Sequence, residues 1–252
     1  MAGRLKGKKA LITGASSGIG AGVAVAFAKE GADVVINFPN KQQEANAKKV
    51  AAAVRKAGGK AYLVQADVSK EGPVRRLVKE SLKRLGRIDI LINNAGIASG
   101  APVEKMPIAM WDEMIGVNLR SVFLVTHFVL PHMYKQGSGK IVNNASQLAY
   151  LGSAGLSHYC AAKAGIIGFT RSLSREIGDR NINANCVAPG ATYTPILEAV
   201  EEDHLKAIKA MIPKGELARV DQIVPAFVYL ASEEASHMVG QTISPNGGDM
   251  ML

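Results

Sequence analysis

Apolar residues along this chain gather in seven short, nearly continuous runs, separated by longer stretches in which apolar and polar residues alternate with helical spacing. Continuous apolar runs of this length indicate strands buried on both faces, and the stretches between them indicate amphipathic helices. Regular alternation of strand and helix predicts a parallel sheet with right-handed crossovers. The predicted strands lie at 9–13, 33–38, 61–67, 88–94, 140–146, 182–188 and 241–245.

The pattern predicts an α/β fold, a doubly wound parallel sheet of about seven strands with helices on both faces. No linker, composition shift or internal repeat interrupts it, so residues 1–252 are predicted to form one domain. The longest segment without a strand lies at about 192–220, after the sixth run. That position is the carboxyl edge where such sheets bind ligands, so the segment fits either a substrate lid or a plain pair of surface helices.

Composition narrows the functional classes. A net charge of +9 suits a nucleic-acid binder, but the basic residues are spread over amphipathic stretches with acidic neighbours and without interleaved aromatic residues. Solvated helix faces explain the charge better, and no nucleic-acid partner is predicted. The sequence has no apolar run of about 18 residues, no signal-peptide pattern, and only two cysteines without metal-ligand spacing. We therefore expect a cytoplasmic protein without a membrane partner or a metal site.

Two short motifs suggest a dinucleotide site. The stretch TGASSGIG, residues 13–20, follows the first predicted strand and opens a helix. Its glycines let the backbone turn sharply and let a pyrophosphate approach the helix N-terminus, where free N–H groups favour anions. The stretch INNAG, residues 92–96, ends the fourth run, which neighbours the first in a sheet of this winding. Asn93 and Asn94 are expected to bond the backbone there.

A third motif carries a proton-transfer pair. The stretch SHYCAAKAG, residues 157–165, places Tyr159 four positions before Lys163, so the two side chains share one helix face. A free tyrosine has a pKa near 10, and one ammonium at about 4 Å supplies about 4 kcal/mol at an effective dielectric constant near 20. The spacing therefore predicts that Lys163 lowers the pKa of Tyr159 enough for proton transfer near neutral pH.

Taken in order, these motifs resemble the short-chain dehydrogenase/reductase family over essentially the whole chain. The matching elements are TGASSGIG, NNAG, Asn118, Ser146, YCAAK and PGATYT. The chain is most similar to the 3-oxoacyl-carrier-protein reductase and glucose 1-dehydrogenase groups. The resemblance implies a Rossmann-type fold, a nicotinamide cofactor, reversible carbonyl/alcohol chemistry on a small-molecule substrate, and a homotetramer.

The same resemblance assigns four catalytic residues. Tyr159 matches the general acid/base, and Lys163 matches the lysine that also holds the nicotinamide ribose. Ser146 matches the serine that hydrogen-bonds the substrate oxygen. Asn118 matches an asparagine that holds a water linking Lys163 to solvent; a purely structural buried asparagine is the alternative.

The resemblance also implies a cofactor site along the carboxyl edge. Asp67 matches the residue that contacts adenine, and the loop 189–194 matches the segment that holds the nicotinamide carboxamide. The predicted cofactor contacts are Gly14, Ser16, Ser17, Gly18, Ile19, Gly20, Asn37, Lys41, Asp67, Val68, Asn94, Ala95, Gly96, Tyr159, Lys163, Pro189, Gly190, Thr192 and Thr194.

The choice between the two nicotinamide cofactors depends on the end of the second strand. An acidic residue there binds the ribose 2′-hydroxyl and selects NAD, but this chain has Asn37, which does not repel a 2′-phosphate. Ser16, Ser17, Asn40 and Lys41 are candidate phosphate contacts. NADP(H) is therefore favoured, with NAD(H) as the alternative. A 3-oxoacyl thioester, a small ketone and a sugar remain candidate substrates, and a catalytically idle NADP(H)-sensing protein is the alternative function.

Overall fold

The predicted sheet is present in the computed structural model, which describes residues 3–198 and 200–251. Its seven strands all pair in parallel, in the order β3-β2-β1-β4-β5-β6-β7. Each strand overlaps one predicted apolar run, so the doubly wound α/β fold class is confirmed. The strands are β1 Lys9–Ile12, β2 Asp33–Phe38, β3 Ala61–Gln65, β4 Ile90–Asn93, β5 Gly139–Asn144, β6 Ile182–Val187 and β7 Thr242–Ile243.

Helices connect the strands and cover both faces of the sheet. A π-helical turn, Gly116–Arg120, joins the fourth and fifth helices. The helices are α1 Gly18–Lys29, α2 Glu44–Lys56, α3 Glu71–Leu85, α4 Ile108–Ile115, α5 Ser121–Gln136, α6 Leu148–Leu151, α7 Ser157–Ile177, α8 Pro195–Glu198, α9 Glu202–Met211 and α10 Val220–Ala231.

Two apolar layers hold the helices to the sheet, and successive strand residues alternate between them. Ile12 of β1 packs in the layer that contains Phe27 of α1 and Phe227 of α10. Its neighbour Leu11 packs in the opposite layer, with Leu77 of α3. Because both faces are covered, apolar residues are required at consecutive strand positions, which explains why the runs in the sequence are continuous.

The carboxyl edge of the sheet collects the loops that carry the motifs. β1 pairs with β4 although 80 positions separate Leu11 from its ladder partner Leu91. The chain turns outward in opposite directions from these two strands, and such a switch point opens a crevice at their carboxyl ends. The segments after β1, β4, β5 and β6 therefore border one crevice.

One helical run is long and apolar enough, by length and composition, to cross a membrane. It spans Ile108–Gln136, and 44% of its most apolar window is buried inside the fold. Its α5 portion places Val125, Val129 and Met133 in the layer beside the sheet. A core helix passes the same test, so this run is weak evidence for a membrane span.

The strand-free segment at 192–220 contains α8 and α9. A β-bridge between Thr192 and Ala218 closes its base, and the backbone N–H of Tyr193 donates to the Ala218 carbonyl at 2.8 Å. Neither described helix in this segment contains a buried residue. Ala199 lies outside the described residues. The segment is thus an exposed excursion anchored at its ends, and its movement as a lid stays a prediction.

The hydroxyl of Thr13 fastens β1 to the turn after β4, and its removal is expected to destabilise the fold. Its Oγ1 accepts from the backbone N–H groups of Asn94, at 2.9 Å, and Ala95, at 3.1 Å. Thr13→Val keeps the shape but leaves both N–H groups without this acceptor, which should cost about 2 kcal/mol of unfolding free energy. Urea denaturation measures the loss. Thr13→Ser retains the hydroxyl and is the control; equal stability of the valine and serine variants would contradict this role.

Candidate active site

The glycine loop after β1 lies directly on the turn after β4. Gly14 has a positive φ of 60°, and a Cβ built on it would lie 2.6 Å from the Cα of Ala95. Gly18 also has a positive φ, of 55°, and its built Cβ would lie 3.5 Å from the Thr194 methyl carbon. Glycine is therefore required for the close approach at position 14, and the loop after β6 is brought to the same place.

The two asparagines of INNAG have different tasks. Asn94 donates from Nδ2 to the carbonyls of Thr13 and Gly14, both at 3.0 Å. It therefore makes the backbone bonds expected from the sequence. Asn93 points into a buried polar cluster instead, where its Nδ2 donates to Thr126 Oγ1 at 3.0 Å and Asn143 Oδ1 at 2.8 Å. For Asn93 the expectation of a side-chain bond to the backbone is wrong, because the neighbouring strand supplies an amide at the same level.

Tyr159 and Lys163 share one face of α7, as their spacing predicts. The Lys163 Nζ lies 5.6 Å from the centroid of the Tyr159 ring. Lys163 is only 3% exposed, and its Nζ donates to the backbone carbonyl of Asn144 at 2.8 Å. Tyr159 is half-buried. The pair therefore meets at the end of β5, beside the crevice.

Burial shifts the pKa values of Tyr159 and Lys163 in opposite directions, and each shift favours the neutral form of the side chain. Burial raises the pKa of the Tyr159 phenol, while a hydrogen bond with Ser146 opposes the change and the nearby Cys160 adds to it. Burial lowers the pKa of Lys163 to about 8. The expectation that Lys163 by itself lowers the pKa of Tyr159 is thus wrong for the protein alone. It counted the ammonium charge and left out desolvation, which penalises the charged form of each group.

Ser146 comes two residues after β5 and meets the phenol of Tyr159. It is 8% exposed, and its Oγ accepts from the backbone N–H of Leu148 at 3.2 Å. A hydrogen bond with the same side chain partly opposes the rise in the pKa of Tyr159. Ser146, Tyr159 and Lys163 are therefore neighbours beside the end of β5.

Asn118 lies in the π-helical turn, where it clamps the chain after β4. Its Oδ1 accepts from the Ile97 N–H at 3.1 Å, and its Nδ2 donates to the Ile97 carbonyl at 3.0 Å. A Cβ on Gly96 would lie 2.6 Å from this Oδ1 and 3.7 Å from the Lys163 Nζ. The buried side chain therefore has a structural task and lies next to Lys163, and its role in holding a water stays a prediction.

Asn37 is buried rather than open to a ligand. It is 1% exposed; its Oδ1 accepts from the Gly14 N–H at 3.2 Å, and its Nδ2 donates to the Ala66 carbonyl at 3.0 Å. These bonds occupy both ends of the amide, so the side chain braces the glycine loop from below. The prediction that Asn37 contacts the cofactor stays a prediction, and its amide groups already bond the backbone of the chain.

The other candidates for a 2′-phosphate contact differ in accessibility. Ser16 is 5% exposed and donates to Gln43 Oε1 at 3.3 Å, so its hydroxyl is already engaged. Asn40 and Lys41 are exposed on the turn after β2, and Ser17 is half-buried at the start of α1. Lys41 is therefore the accessible cation next to this part of the edge.

The remaining predicted contacts follow the carboxyl edge. Burial raises the pKa of the Asp67 carboxyl, but hydrogen bonds from Ser69 and Lys70 outweigh this effect and hold the pKa below its usual value. In the loop after β6, Thr192 donates to the Gly190 carbonyl at 2.8 Å, and a Cβ on Gly190 would lie 2.7 Å from the Asn246 Cα. The edge also includes Ile19 at the start of α1, Gly20 one residue later, Val68 after β3 and Pro189 after β6.

Two residues beside the site escaped the sequence analysis. Asn144 donates from Nδ2 to Asn94 Oδ1 at 3.0 Å, and its carbonyl accepts from Lys163. Gln147 is 4% exposed and donates from Nε2 to Asp249 Oδ2 at 2.5 Å. Their positions in the sequence could have identified them, because Asn144 ends an apolar run two residues before Ser146 and Gln147 follows Ser146 directly. Two surface pockets lie elsewhere, one beside Arg55 and one beside Arg75, and neither is lined by Tyr159 or Lys163.

Known proteins resemble this chain over nearly its whole length. The family profile described as short chain dehydrogenase matches residues 8–205. The 3-oxoacyl-[acyl-carrier-protein] reductase FabG of Thermotoga maritima is 38% identical over 245 residues, covering 97% of this chain and 98% of that protein. The (2S)-[(R)-hydroxy(phenyl)methyl]succinyl-CoA dehydrogenase subunit BbsD of Thauera aromatica is 38% identical over 247 residues, covering 97% of each. A short-chain type dehydrogenase/reductase of Mycobacterium marinum superposes with a TM-score of 0.94 at 33% identity, covering 98% of this chain and 97% of that one.

The lowered pKa of Lys163 predicts a specific dependence of stability on pH. Between about pH 8 and the usual lysine pKa near 10.4, the unfolded chain binds more protons at this position than the folded chain. The parent protein should therefore gain unfolding free energy over a Lys163→Met variant as the pH rises, by about 2 kcal/mol between pH 8 and 10. Urea denaturation at several pH values measures this difference. A difference that stays constant over this range would contradict the lowered pKa.

Proposed function

The chain belongs to the short-chain dehydrogenase family, and we propose that it interconverts a carbonyl and an alcohol with Tyr159 as the general acid/base. Membership makes it an oxidoreductase that acts on CH–OH or C=O groups. The observation that carries the assignment to Tyr159 is the convergence of its phenol with Ser146 and Lys163 at the crevice. An idle sensing protein is not favoured, because this set of side chains is intact.

The residues present fit a nicotinamide dinucleotide. Gly14 and Gly18, both with positive φ, turn the chain sharply from β1 into the N-terminus of α1, and free N–H groups at such a terminus favour a pyrophosphate. When bound, the nicotinamide supplies or accepts the hydride. Thr194 and the backbone of the loop 189–194 would hold its carboxamide, Lys163 its ribose hydroxyls, and Asp67 the adenine.

In the proposed mechanism, Ser146 orients the substrate oxygen and Tyr159 moves the proton. The phenol donates its proton to the carbonyl oxygen during reduction and recovers one during alcohol oxidation. The pKa that burial raises suits the proton-donating form. Lys163 stabilises the phenolate left after donation, since an opposite charge nearby favours the ionised form. Asn118 would hold a water linking Lys163 to solvent.

For the substrate we propose a 3-oxoacyl thioester. The names of two relatives, each aligned along nearly the whole chain, refer to an acyl carrier protein and to a CoA thioester. A small ketone and a sugar are the alternative substrates, and an assay of carbonyl reduction with all three classes distinguishes them.

We further propose that the protein is a cytoplasmic homotetramer. Exposed Phe123 and half-exposed Tyr134 on α5 give that helix apolar surface for self-association.

Removal of one phenol hydroxyl tests the acid/base assignment. Tyr159→Phe should lower the turnover number for carbonyl reduction by at least about a hundredfold, because the proton donor is lost. Cofactor oxidation followed by absorbance measures the rate, with a 3-oxoacyl thioester as substrate. Tyr150→Phe is the matched control, since its buried hydroxyl has no hydrogen-bond partner among the described residues. A Tyr159→Phe enzyme as fast as the control would contradict the mechanism.

We propose NADP(H) as the cofactor, because no carboxylate ends β2 and Lys41 is exposed beyond it. Lys41→Glu should lower the specificity constant for NADPH about tenfold and leave that for NADH nearly unchanged, because only the former carries a 2′-phosphate. Steady-state kinetics with both cofactors measures the ratio. Lys49→Glu, an equal charge change at an exposed position of α2, is the control. An unchanged ratio in Lys41→Glu, or higher efficiency with NADH in the parent, would contradict the proposal.

A further inference from the structure

The side chain and backbone of Asn144 join the glycine loop to the catalytic lysine. On one side, its Nδ2 donates to Asn94 Oδ1 at 3.0 Å, and Asn94 in turn donates to the carbonyls of Thr13 and Gly14. On the other side, its backbone carbonyl accepts from the Lys163 Nζ at 2.8 Å. Three consecutive hydrogen-bonded links therefore run from the cofactor loop to Lys163, and Asn144 is the joint between them.

The same amide is incompletely satisfied. The Oδ1 of Asn144 is buried and has no hydrogen-bond partner among the residues that the structure describes. A buried acceptor without a partner costs about 1–3 kcal/mol, which offsets what the bond to Asn94 contributes. A leucine has nearly the same shape and would remove this orphaned oxygen, but it would leave the Oδ1 of Asn94 without its donor. One unpaired acceptor is exchanged for another, so the asparagine contributes little net stability at this position.

The orientation of this amide is set by its neighbour. Asn94 uses Nδ2 on two backbone carbonyls, so its Oδ1 faces Asn144 and requires a donor there. The Nδ2 of Asn144 supplies that donor, and its Oδ1 is left facing away. The bond therefore holds Asn94 in the rotamer that grips the glycine loop, and the orphaned oxygen is its consequence.

We propose that Asn144 is a positioning residue, which keeps the cofactor loop and Lys163 in register and contributes little to folding stability. The inference rests on the proposed function, since it concerns the site in which Lys163 and the glycine loop act together. Asn144 does not touch Ser146 or Tyr159 in the described contacts, so its influence on the reaction passes through Asn94 and Lys163. Cofactor binding is therefore the step that its side chain controls.

The test compares Asn144→Leu with Thr170→Val. The leucine variant removes the orphaned oxygen of Asn144 but leaves the Oδ1 of Asn94 without a donor, so its unfolding free energy should stay close to that of the parent. Its dissociation constant for NADPH, measured by fluorescence titration, and its KM for NADPH should each rise about fivefold, the value of one hydrogen bond. Its KM for the carbonyl substrate should not change.

Thr170→Val is the control for Asn144→Leu, because it also removes one buried hydrogen bond but lies away from the crevice. Thr170 Oγ1 accepts from Asn143 Nδ2 at 2.8 Å, in the neighbouring polar cluster. This variant should lose stability in urea denaturation and keep the parent affinity for NADPH.

The outcomes separate a positioning role from a structural one. Weaker NADPH binding by Asn144→Leu without a loss of stability supports the proposal. A loss of stability like that of Thr170→Val, or unchanged NADPH binding, overturns it. If the parent reduces no carbonyl substrate, the proposed function fails; NADPH titration and urea denaturation then still decide the role of Asn144, because neither requires turnover.

Discussion

The pairing of β1 with β4 is the constraint on which the rest of the molecule depends. It brings together segments about 80 residues apart in the chain, and Thr13 and Asn94 hold them through hydrogen bonds on the carboxyl side. Every loop that carries a functional residue leaves the sheet at this edge or next to it. The reason is topological, because the crossovers on the two sides of the β1–β4 pair run in opposite directions and leave the crevice between them.

Burial, rather than charge alone, governs the chemistry of the catalytic pair. Lys163 is almost fully buried and is held by one backbone carbonyl, so its ammonium form is penalised. Burial raises the pKa of the Tyr159 phenol, so its protonated form is favoured. A site that reduces carbonyls needs a proton on the phenol when the substrate arrives and a stabilised phenolate after donation. In the mechanism that we propose, the two side chains therefore suit proton donation, and Ser146 would orient the substrate oxygen.

Polar side chains below the site show how the carboxyl edge is kept rigid. Asn37 braces the glycine loop, Asn94 holds its carbonyls, and Asn118 clamps the turn after β4. Each uses an amide that donates and accepts at once, which is suitable for joining two loops. Buried amides of this kind stabilise most when both ends are paired, and among the described residues Asn93, Asn144 and Gln147 each have an amide oxygen without a hydrogen-bond partner. Of these, Asn144 is the residue whose backbone carbonyl accepts from Lys163.

The fold and the proximity of Tyr159 to Lys163 could be predicted from the sequence because both follow from local spacing. Alternating apolar runs and helical stretches determine the doubly wound sheet, and a separation of four on one helix places Tyr159 beside Lys163. What only the tertiary structure decided was the environment of each side chain. It buried Asn37 beneath the glycine loop, turned Asn93 away from the backbone, raised the pKa of Tyr159 and connected Asn144 to Asn94. Desolvation and hydrogen-bond partners depend on residues that are distant in the chain, and periodicity contains no information about them.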